Sequence, residues 1–543
     1  MEKSKVMKAR LGIDLGTTNS AVCYLLENEQ NAKFLWFDNH TRSFFPTLIA
    51  YNRKDGSCKI GAQARKYRYN KNYDAYDTFK LSLGEKARDK SGRDKAPVQV
   101  TQDFIAEVLR KFEDIHGVPK DDITLVQTVP DVWKHEIGNC TALENLSGVY
   151  EQLGMETDWQ VAFESEPVSA AAYYLKEVCK GEYAGYVIVV DYGGGTLDLT
   201  LCRVNENGVI EVLWSCGNGG RGTSGCAGYA FDRAAVMRLV ERYELNQDQY
   251  APGKPAFGKL ETSFEDSKIE SVQETEDALK AYYESEGTYD SKVFTVIDPS
   301  DDNEYEVFAS DIDMAYQEVN QEALKQAIEQ MKDRCEVEKI DVTDIAKMRV
   351  LLVGGFSNLF CVERTVRESF GSMMGNRDPR FDNGISREKR SEAIAHGACL
   401  IAAGITPVVH INQNEMGFFG LNIDGEVVAV PVIERGKAIK EYLKPRFSPY
   451  LVKQTFHGLP VNLELYFDDG YGKIKMLMGE EFFSICPNSK KKENTYQIGF
   501  SIDRHRIPQL HVRDCSGEET VTSLYQLITR LPAVRIQGEE KEA

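Results

Sequence analysis

The chain has 543 residues, 42% hydrophobic and 27% charged. That is a globular composition, neither disordered nor fibrous, and too long for one hydrophobic core. With 65 basic and 84 acidic side chains the formal charge is −19, so the whole-protein field repels nucleic acid and acidic membrane surfaces. Any nucleotide has to be held by local devices: backbone N–H groups, a few lysines and a metal ion.

The 12 cysteines are scattered singly with no C-x-x-C pair, which suits reduced thiols better than disulfides or zinc. Met1 to Arg10 carries neither a signal h-region nor a cleavage site, and no stretch approaches the roughly 18 apolar residues of a membrane helix. The expectation is a cytoplasmic protein.

In chain order, the first element is the apolar run Leu11-Gly12-Ile13, ended by Asp14 and followed by the turn Leu15-Gly16-Thr17-Thr18, with Ala21, Val22 and Leu25 resuming the strand. Phe104, Ile105, Val108, Leu109 and Phe112 then share one helical face. The opening plan returns at Val187–Val190, ended by Asp191 and turned by Tyr192-Gly193-Gly194-Gly195-Thr196. After this turn Leu197, Leu199 and Leu201 alternate with Asp198, Thr200 and Cys202, so one buried and one exposed strand face is expected. The polar stretch Asp277 to Asn303 reads as a loop or hairpin insertion. Tyr316, Val319, Ala323, Ala327 and Met331 lie on a second helical face, and Val350–Val353 is an apolar run ending in Gly354-Gly355.

Strands alternating with helices mean α/β layers. His396, among Ala393, Ala395 and Ala398, reads as a packed helix residue. Beyond about Gly404 the period changes to two. Val461/Leu463/Leu465/Phe467 alternate with Asn462/Glu464/Tyr466/Asp468, and Ile498/Phe500/Ile502 face Leu510/Val512 across the turn Asp503 to Arg506. These are half-buried antiparallel strands. Lys490 to Lys492 is a solvated turn. A short helix, Ser523 to Leu531, and the charged tail Gly538 to Ala543 follow. The expected division is a first domain over 1–404 (lobe I about 8–185, lobe II about 186–380, a closing helix to 404), a β-rich domain over 405–531, and a tail over 532–543.

Tight glycine turns let several backbone N–H groups approach a phosphate. Two hairpins facing each other would grip the β- and γ-phosphates of a triphosphate, with Thr17, Thr18 and Thr196 adding hydroxyls. Asp14 and Asp191, at the strand ends, then need a cation. A hydrated Mg²⁺ satisfies both, with Asp198 as an outer ligand. Any one such loop by itself reads as an ordinary structural turn; it is the duplication, with the third turn at Gly354-Gly355, that favours a nucleotide site.

At these residues the chain resembles the 70-kilodalton heat-shock chaperones, of the DnaK type, within the actin, sugar-kinase and heat-shock ATPase superfamily. Ile13 to Ser20, including Gly16, Thr17, Thr18 and Asn19, is similar to the first phosphate loop of that family. Asp191 to Asp198, including Gly193, Gly194 and Gly195, is similar to the second. Glu166-Pro167 with Ala170-Ala171-Ala172 resembles the connecting helix, Ala393 to Ala398 the second connecting helix, Thr128-Val129-Pro130 a strand end in lobe I, and Gly354-Gly355 the adenosine loop. The resemblance covers most of 8–404 and continues more weakly through 405–530, at Val432 to Gly436 and Ile502-Asp503.

It implies a two-lobed actin-like ATPase fold of duplicated ribonuclease-H-like units followed by a β-sandwich, with ATP or ADP and Mg²⁺ as cofactors. It also implies unfolded or extended polypeptide clients, a co-chaperone and a nucleotide-exchange factor, with no nucleic acid or membrane partner. Lys80 matches the catalytic lysine, and Asp191, Glu166 and Thr17 would orient water and the metal shell. On the residues alone, Lys80 reads as a solvated surface lysine and Glu166 as a first-turn helix acid.

The departures are specific. Glu265 and Lys268 are retained in the helix that resembles the adenine clamp, but Ile269 stands at the stacking arginine. Phe356 replaces a serine and Ser391 an aspartate. Ile405-Thr406-Pro407-Val408-Val409 occupies the place of the acidic, leucine-rich linker, so coupling between ATP and client release is in question. No long C-terminal helical lid is expected, which makes this a divergent, lidless branch. Three functions compete: an ATP-dependent chaperone with slow hydrolysis, a small-molecule kinase on the same fold, and a nucleotide-dependent switch or scaffold with little turnover.

Overall fold

A computed structural model describes residues 8–37, 43–84, 95–131, 133, 137–157, 159–219, 225–381, 384–422, 424–453, 461–475, 483–485, 495–503 and 507–524. Ser523 closes the strand Glu519–Ser523 rather than opening a helix. The rest of that expected helix from 525, the charged tail and the Lys490–Lys492 turn lie outside the described residues.

The duplicated plan is real at the level of strand pairing. Ala9–Asp14 runs antiparallel to Asn19–Leu26 and parallel to Ile123–Val129. Gly185–Tyr192 runs antiparallel to Thr196–Val204 and parallel to Met348–Val353. Each hairpin therefore sits inside its own mixed sheet with a parallel neighbour on the far side, an arrangement that requires helical crossovers.

Helix Pro97–His116 buries Phe104, Ile105, Val108, Leu109 and Phe112, which pack with Leu11, Ile13, Val22 and Leu125 in the first core. In the second sheet Ile188, Val190, Leu197, Leu199 and Leu201 join Phe231, Leu239 and Ile328.

The opposite face of Thr196–Val204 is not exposed as its alternation suggests. Asp198, Thr200 and Cys202 are all 0% accessible. Cys202 belongs to a separate core with Val187, Val189 and Val168, Ala171 and Ala172 of helix Glu166–Tyr173, so that helix covers the face predicted for solvent. Helix Glu166–Tyr173 in turn crosses helix Ala393–Ala402 at near contact. A Cβ at Gly397 would lie 1.6 Å from the Ser169 carbonyl oxygen, and one at Gly12 would lie 2.2 Å from that of Ala395. His396 is packed as expected, with ring centroids 5.2 Å from Tyr173 and 6.1 Å from Phe34.

Two other readings change. The stretch from Asp277 begins inside a helix, Val272–Glu284, whose Ala278 and Leu279 are buried; only the remainder is the predicted hairpin, Lys292–Ile297 with Glu304–Phe308. The face through Tyr316 and Met331 is broken by a π turn at Gln317–Gln321, which leaves Val319 half-buried. The wide turn carries Asn320 into the core, where it donates to Tyr192 Oη at 3.1 Å and to the Cys226 carbonyl at 2.6 Å.

Beyond 404 the chain forms two sheets. One orders Val427–Ile433, Glu415–Leu421, Val461–Asp468 and Lys473–Lys475; the other orders Arg446–Lys453, Thr495–Ile502, Pro508–Asp514 and Glu519–Ser523. Met416, Phe418, Leu463, Leu465, Phe467, Ile498, Phe500 and Leu510 fill the space between them, a sandwich core. Tyr466, assigned to the outer face, is buried instead: it packs 5.1 Å from Phe419 and donates to Glu415 at 3.0 Å. A tyrosine buried on such a face needs a hydroxyl partner.

The segment at the linker position is part of the second sheet. Val408–His410 pairs parallel with Ile210–Val212. A second tie is Arg334, 1% accessible, which donates to the Asp469 carbonyl of the sandwich and pairs with Glu338 at 2.7 Å.

Candidate functional site

The two hairpin turns meet. A Cβ at Gly195 would lie 2.1 Å from Thr17 Oγ1, and one at Gly194 would lie 2.9 Å from Thr18 Oγ1. At Gly195 a side chain would be crowded by Thr17 and by Leu81 at 2.9 Å, whereas at Gly194 it would meet only the rotatable end of Thr18. Gly16 is equally confined, its virtual Cβ 2.0 Å from the Asn19 carbonyl. Thr47 braces the first turn by donating from Oγ1 to the Gly16 carbonyl at 2.8 Å and from its backbone N–H to that of Thr18 at 2.8 Å. The second turn is braced from behind: Gly228 and Tyr229, opening helix Gly228–Arg242, donate backbone N–H groups to the Gly193 and Gly194 carbonyls at 3.1 and 2.8 Å. The Gly193 N–H bonds to the Thr196 carbonyl at 3.1 Å, closing the turn on itself.

Behind the turns lies a buried charge cluster. Lys80, 4% accessible, pairs with Glu166 at 2.6 Å. This is not the solvated lysine that the residue suggests in isolation: the helix opening at Glu166 holds a carboxylate against it, and Trp133 lies 5.7 Å from its ammonium. Asp14 accepts from Thr128 Oγ1 at 3.0 Å, and Asp191 stands opposite Asp198 across its hairpin.

Burial lifts the Asp14 carboxyl to about 7, helped by the Glu166 charge and opposed by Lys80 and the Thr128 bond. Burial, then Glu166, Asp198 and Asp14, push Asp191 well above the ordinary carboxylate range. For Lys80, burial works against the charged form, but Glu166, Asp14 and Asp191 outweigh it and keep the ammonium protonated. One lysine thus faces three carboxyl groups, Glu166, Asp14 and Asp191, with Glu166 and Asp191 buried and Asp14 half-buried, an arrangement that calls for further positive charge or bound protons.

The expected nucleoside residues gather next to this cluster. Gly354, at φ 81°, leaves room for the Asp191 carboxylate, whose Oδ1 would lie 2.5 Å from a Cβ there. Gly355 is exposed with open space about it. Phe356 is buried edge-on against Tyr192, with centroids 4.9 Å apart. Lys268 pairs with Asp232 and sits 5.6 Å from the Phe231 ring and 5.9 Å from that of Phe356. Glu265 and Ile269 are half-buried on the same helix, Pro255–Glu270. That helix is tied to the first-lobe side by Arg65–Asp266 at 2.9 Å and by Arg68 donating to Thr262 at 2.8 Å.

The contacts thus bring Thr17 and Thr18 to Gly194 and Gly195, Lys80 to Glu166, Gly354 to Asp191, and Lys268 to Phe356. Sequence reading missed Thr128 as the partner of Asp14, Asp131 between Ser165 and Thr200, and the His410–Glu164 pair at 2.8 Å. Asp131 directly follows Thr128-Val129-Pro130 and so carried a positional signal; the cross-lobe ties had none.

A model of the family described as Hsp70 protein matches residues 165–455, more than half of the chain. The chain belongs to the Hsp70 family. Hsp70 proteins are nucleotide-binding ATPases and chaperones, and the two-lobed α/β fold followed by a β-rich region is the one this family has. The Hsp70 match takes in Glu166, the turn Asp191–Asp198, Glu265, Lys268 and Gly354–Phe356. It runs through Val408–His410 into the first strands of the sandwich. Asp14 to Asn19 and Lys80 precede the matched segment and are joined to it by the contacts above. Among the described residues no helix of this Hsp70 chain is long and apolar enough to cross a membrane.

Proposed function

We propose that this Hsp70 chain binds MgATP between its lobes, hydrolyses it slowly, and binds extended polypeptide through its C-terminal sandwich. The observation that carries the reading is the contact between the two glycine turns over the Lys80–Glu166 pair. In this reading the turn N–H groups, with Thr17, Thr18 and Thr196, hold phosphate oxygens. Lys80 offsets negative charge at the transferring phosphoryl group, and Glu166 holds Lys80 in place. Asp14, Asp191 and Asp198 complete the catalytic set, while Glu265, Lys268, Gly354, Gly355 and Phe356 hold the nucleoside.

The residues fit Mg²⁺. The second oxygen of Asp191 is buried without a hydrogen-bond partner among the described residues, and the cluster carries excess negative charge. Mg²⁺ keeps most of its waters and takes one or two carboxylates alongside phosphate oxygens, which Asp14 and Asp191 would supply. When bound, the ion supplies charge neutralisation to the phosphates.

Coupling to the sandwich runs through Val408–His410, which takes the place of the family's linker despite its different sequence. The domain division is 1–404, 405–531 and a tail, in the cytoplasm, with unfolded clients and the co-chaperone and exchange factor that the family uses. Family membership weighs against the kinase reading.

The test is phosphate release by the full chain with ATP, with and without Mg²⁺, together with anisotropy of a labelled unfolded peptide. Slow Mg²⁺-dependent release, abolished by Lys80→Ala, supports the proposal. Nucleotide binding without release makes the protein a switch, phosphate transfer to a sugar makes it a kinase, and failure to bind nucleotide removes the site.

A further inference from the structure

Asp131 is 1% accessible, and the roles assigned above do not use it. Its Oδ2 accepts from Ser165 Oγ at 2.8 Å and from Thr200 Oγ1 at 2.6 Å. The two donors come from opposite lobes. Ser165 ends the first-sheet strand Val161–Ser165 and immediately precedes Glu166, which holds Lys80. Thr200 lies in the second-sheet strand Thr196–Val204, two residues beyond Asp198 and on the same strand face. A buried carboxylate binding two hydroxyls is costly to bring out of water and persists only where its partners are well placed.

The consequence is geometric. Glu166 and Lys80 belong to one lobe, and Asp191 and Asp198 to the other. Helix Glu166–Tyr173 packs on the second sheet through apolar contacts, and Asp131 adds a directional polar tie at the start of that helix. Asp131 touches the residue beside Glu166 and the strand carrying Asp198. Ser165 is itself held, its backbone N–H donating to Glu164 at 2.7 Å and its carbonyl accepting from Ser169 Oγ at 2.9 Å. A shift at Asp131 therefore passes to the start of the helix that carries Glu166.

We propose that Asp131 is a positioning residue for ATP hydrolysis, clamping Ser165 of one lobe to Thr200 of the other so that the Lys80–Glu166 pair and Asp191–Asp198 stay in register. This rests on the ATPase reading above. Asp131 acts through its neighbours and not on nucleotide, so its loss lowers kcat and leaves nucleotide affinity in place.

The experiment compares Asp131→Ala, Asp131→Asn, Ser165→Ala and Thr200→Val in the full chain. It measures single-turnover release, affinity for a fluorescent ADP, and deuterium exchange over 161–173 and 196–204. A displacement of about 1 Å costs on the order of a hundredfold in rate. The expected result is a loss of that order in Asp131→Ala, partial rescue in Asp131→Asn, and about tenfold losses when either hydroxyl is removed. ADP affinity should stay within about threefold, and exchange should rise in segments of both lobes.

Ser165→Ala and Thr200→Val each remove one of the two hydroxyls that bridge the lobes at Asp131, so they report even if Asp131→Ala does not fold. Unchanged kcat in these two variants overturns the proposal, as does a loss that appears wholly in nucleotide affinity. If wild type binds nucleotide without turnover, the ATPase reading fails on its own account. Exchange in Thr200→Val then decides the clamp, which is overturned if only the segment bearing the substitution changes.

Discussion

Replacing Lys80 by methionine keeps the length of the side chain and removes its charge. Lys80 and Glu166 are 2.6 Å apart with side chains 4% and 8% accessible, so the change strands a carboxylate out of water. Breaking a buried pair from one side costs about 3–5 kcal/mol. Here Glu166 is left beside Asp14 and Asp191, whose raised carboxyls can take up protons near neutral pH, so the middle of that range applies. The deficit is limited by proton uptake. Lys80 opposes the rise of the Asp14 and Asp191 carboxyls; without it both rise further, the folded state binds more protons than the unfolded chain, and the deficit narrows as the pH falls.

Urea unfolding of wild type, Lys80→Met, Glu166→Gln and the double variant measures the coupling. Lys80→Met should lose about 4 kcal/mol at pH 7.5 and less at pH 5.5, and the double variant should recover most of the loss, because a neutral pair carries no stranded charge. Phosphate release should vanish in Lys80→Met. A loss below about 1 kcal/mol at pH 7.5, or a double variant no more stable than Lys80→Met, would refute the assignment of a buried pair at the centre of the site.

Gly397→Ala places a methyl group 1.6 Å from the Ser169 carbonyl oxygen, which is backbone and has no rotamer to yield; thermal unfolding should show a loss of at least about 3 kcal/mol, at the severe end of overpacking. Burial, reinforced by Asp232 and opposed by Arg233 and Arg68, raises Glu261 to about 7. Its folded-state value is above the unfolded one, so the native state is favoured below the unfolded value and loses that advantage as the pH rises through about 7. Glu261→Gln should therefore match wild type near pH 5 and exceed it by on the order of 2 kcal/mol at pH 8, and equal urea midpoints at pH 8 would show that Glu261 is solvated. His410→Ala removes the 2.8 Å contact with Glu164, so the amides of Ile210 and Ile411, which bond to the Pro407 and Val212 carbonyls at 3.0 Å, should exchange faster while the sandwich core does not. Unchanged exchange there would mean that strand pairing alone holds the segment.

Much of the site is readable in the sequence because its devices are local. A strand ending in aspartate, followed by glycine and threonine, needs only neighbouring residues to form, and Asp14 and Asp191 fall where that grammar places them. Several of the errors concern what covers a surface. Thr196–Val204 alternates leucine with Asp198, Thr200 and Cys202, a pattern that means solvent on one side until helix Glu166–Tyr173 fills that side. Tyr466 was assigned outward by the same rule. Val319 left its face because a single π turn rotates everything near it, and periodicity over a short window does not register one inserted residue.

The order of residues by itself determined the two glycine–threonine turns, the aspartates at their strand ends, the amphipathic helices and the change to strand periodicity beyond Gly404, since each depends on contacts within a few positions. The tertiary structure alone decided that Lys80 is buried against Glu166, that the glycine turns touch across the lobes, that Asp131 joins Ser165 to Thr200, and that Val408–His410 docks as a strand. Those facts depend on residues 34 to 246 positions apart, and long-range contact is set by how whole layers pack, which no local pattern encodes.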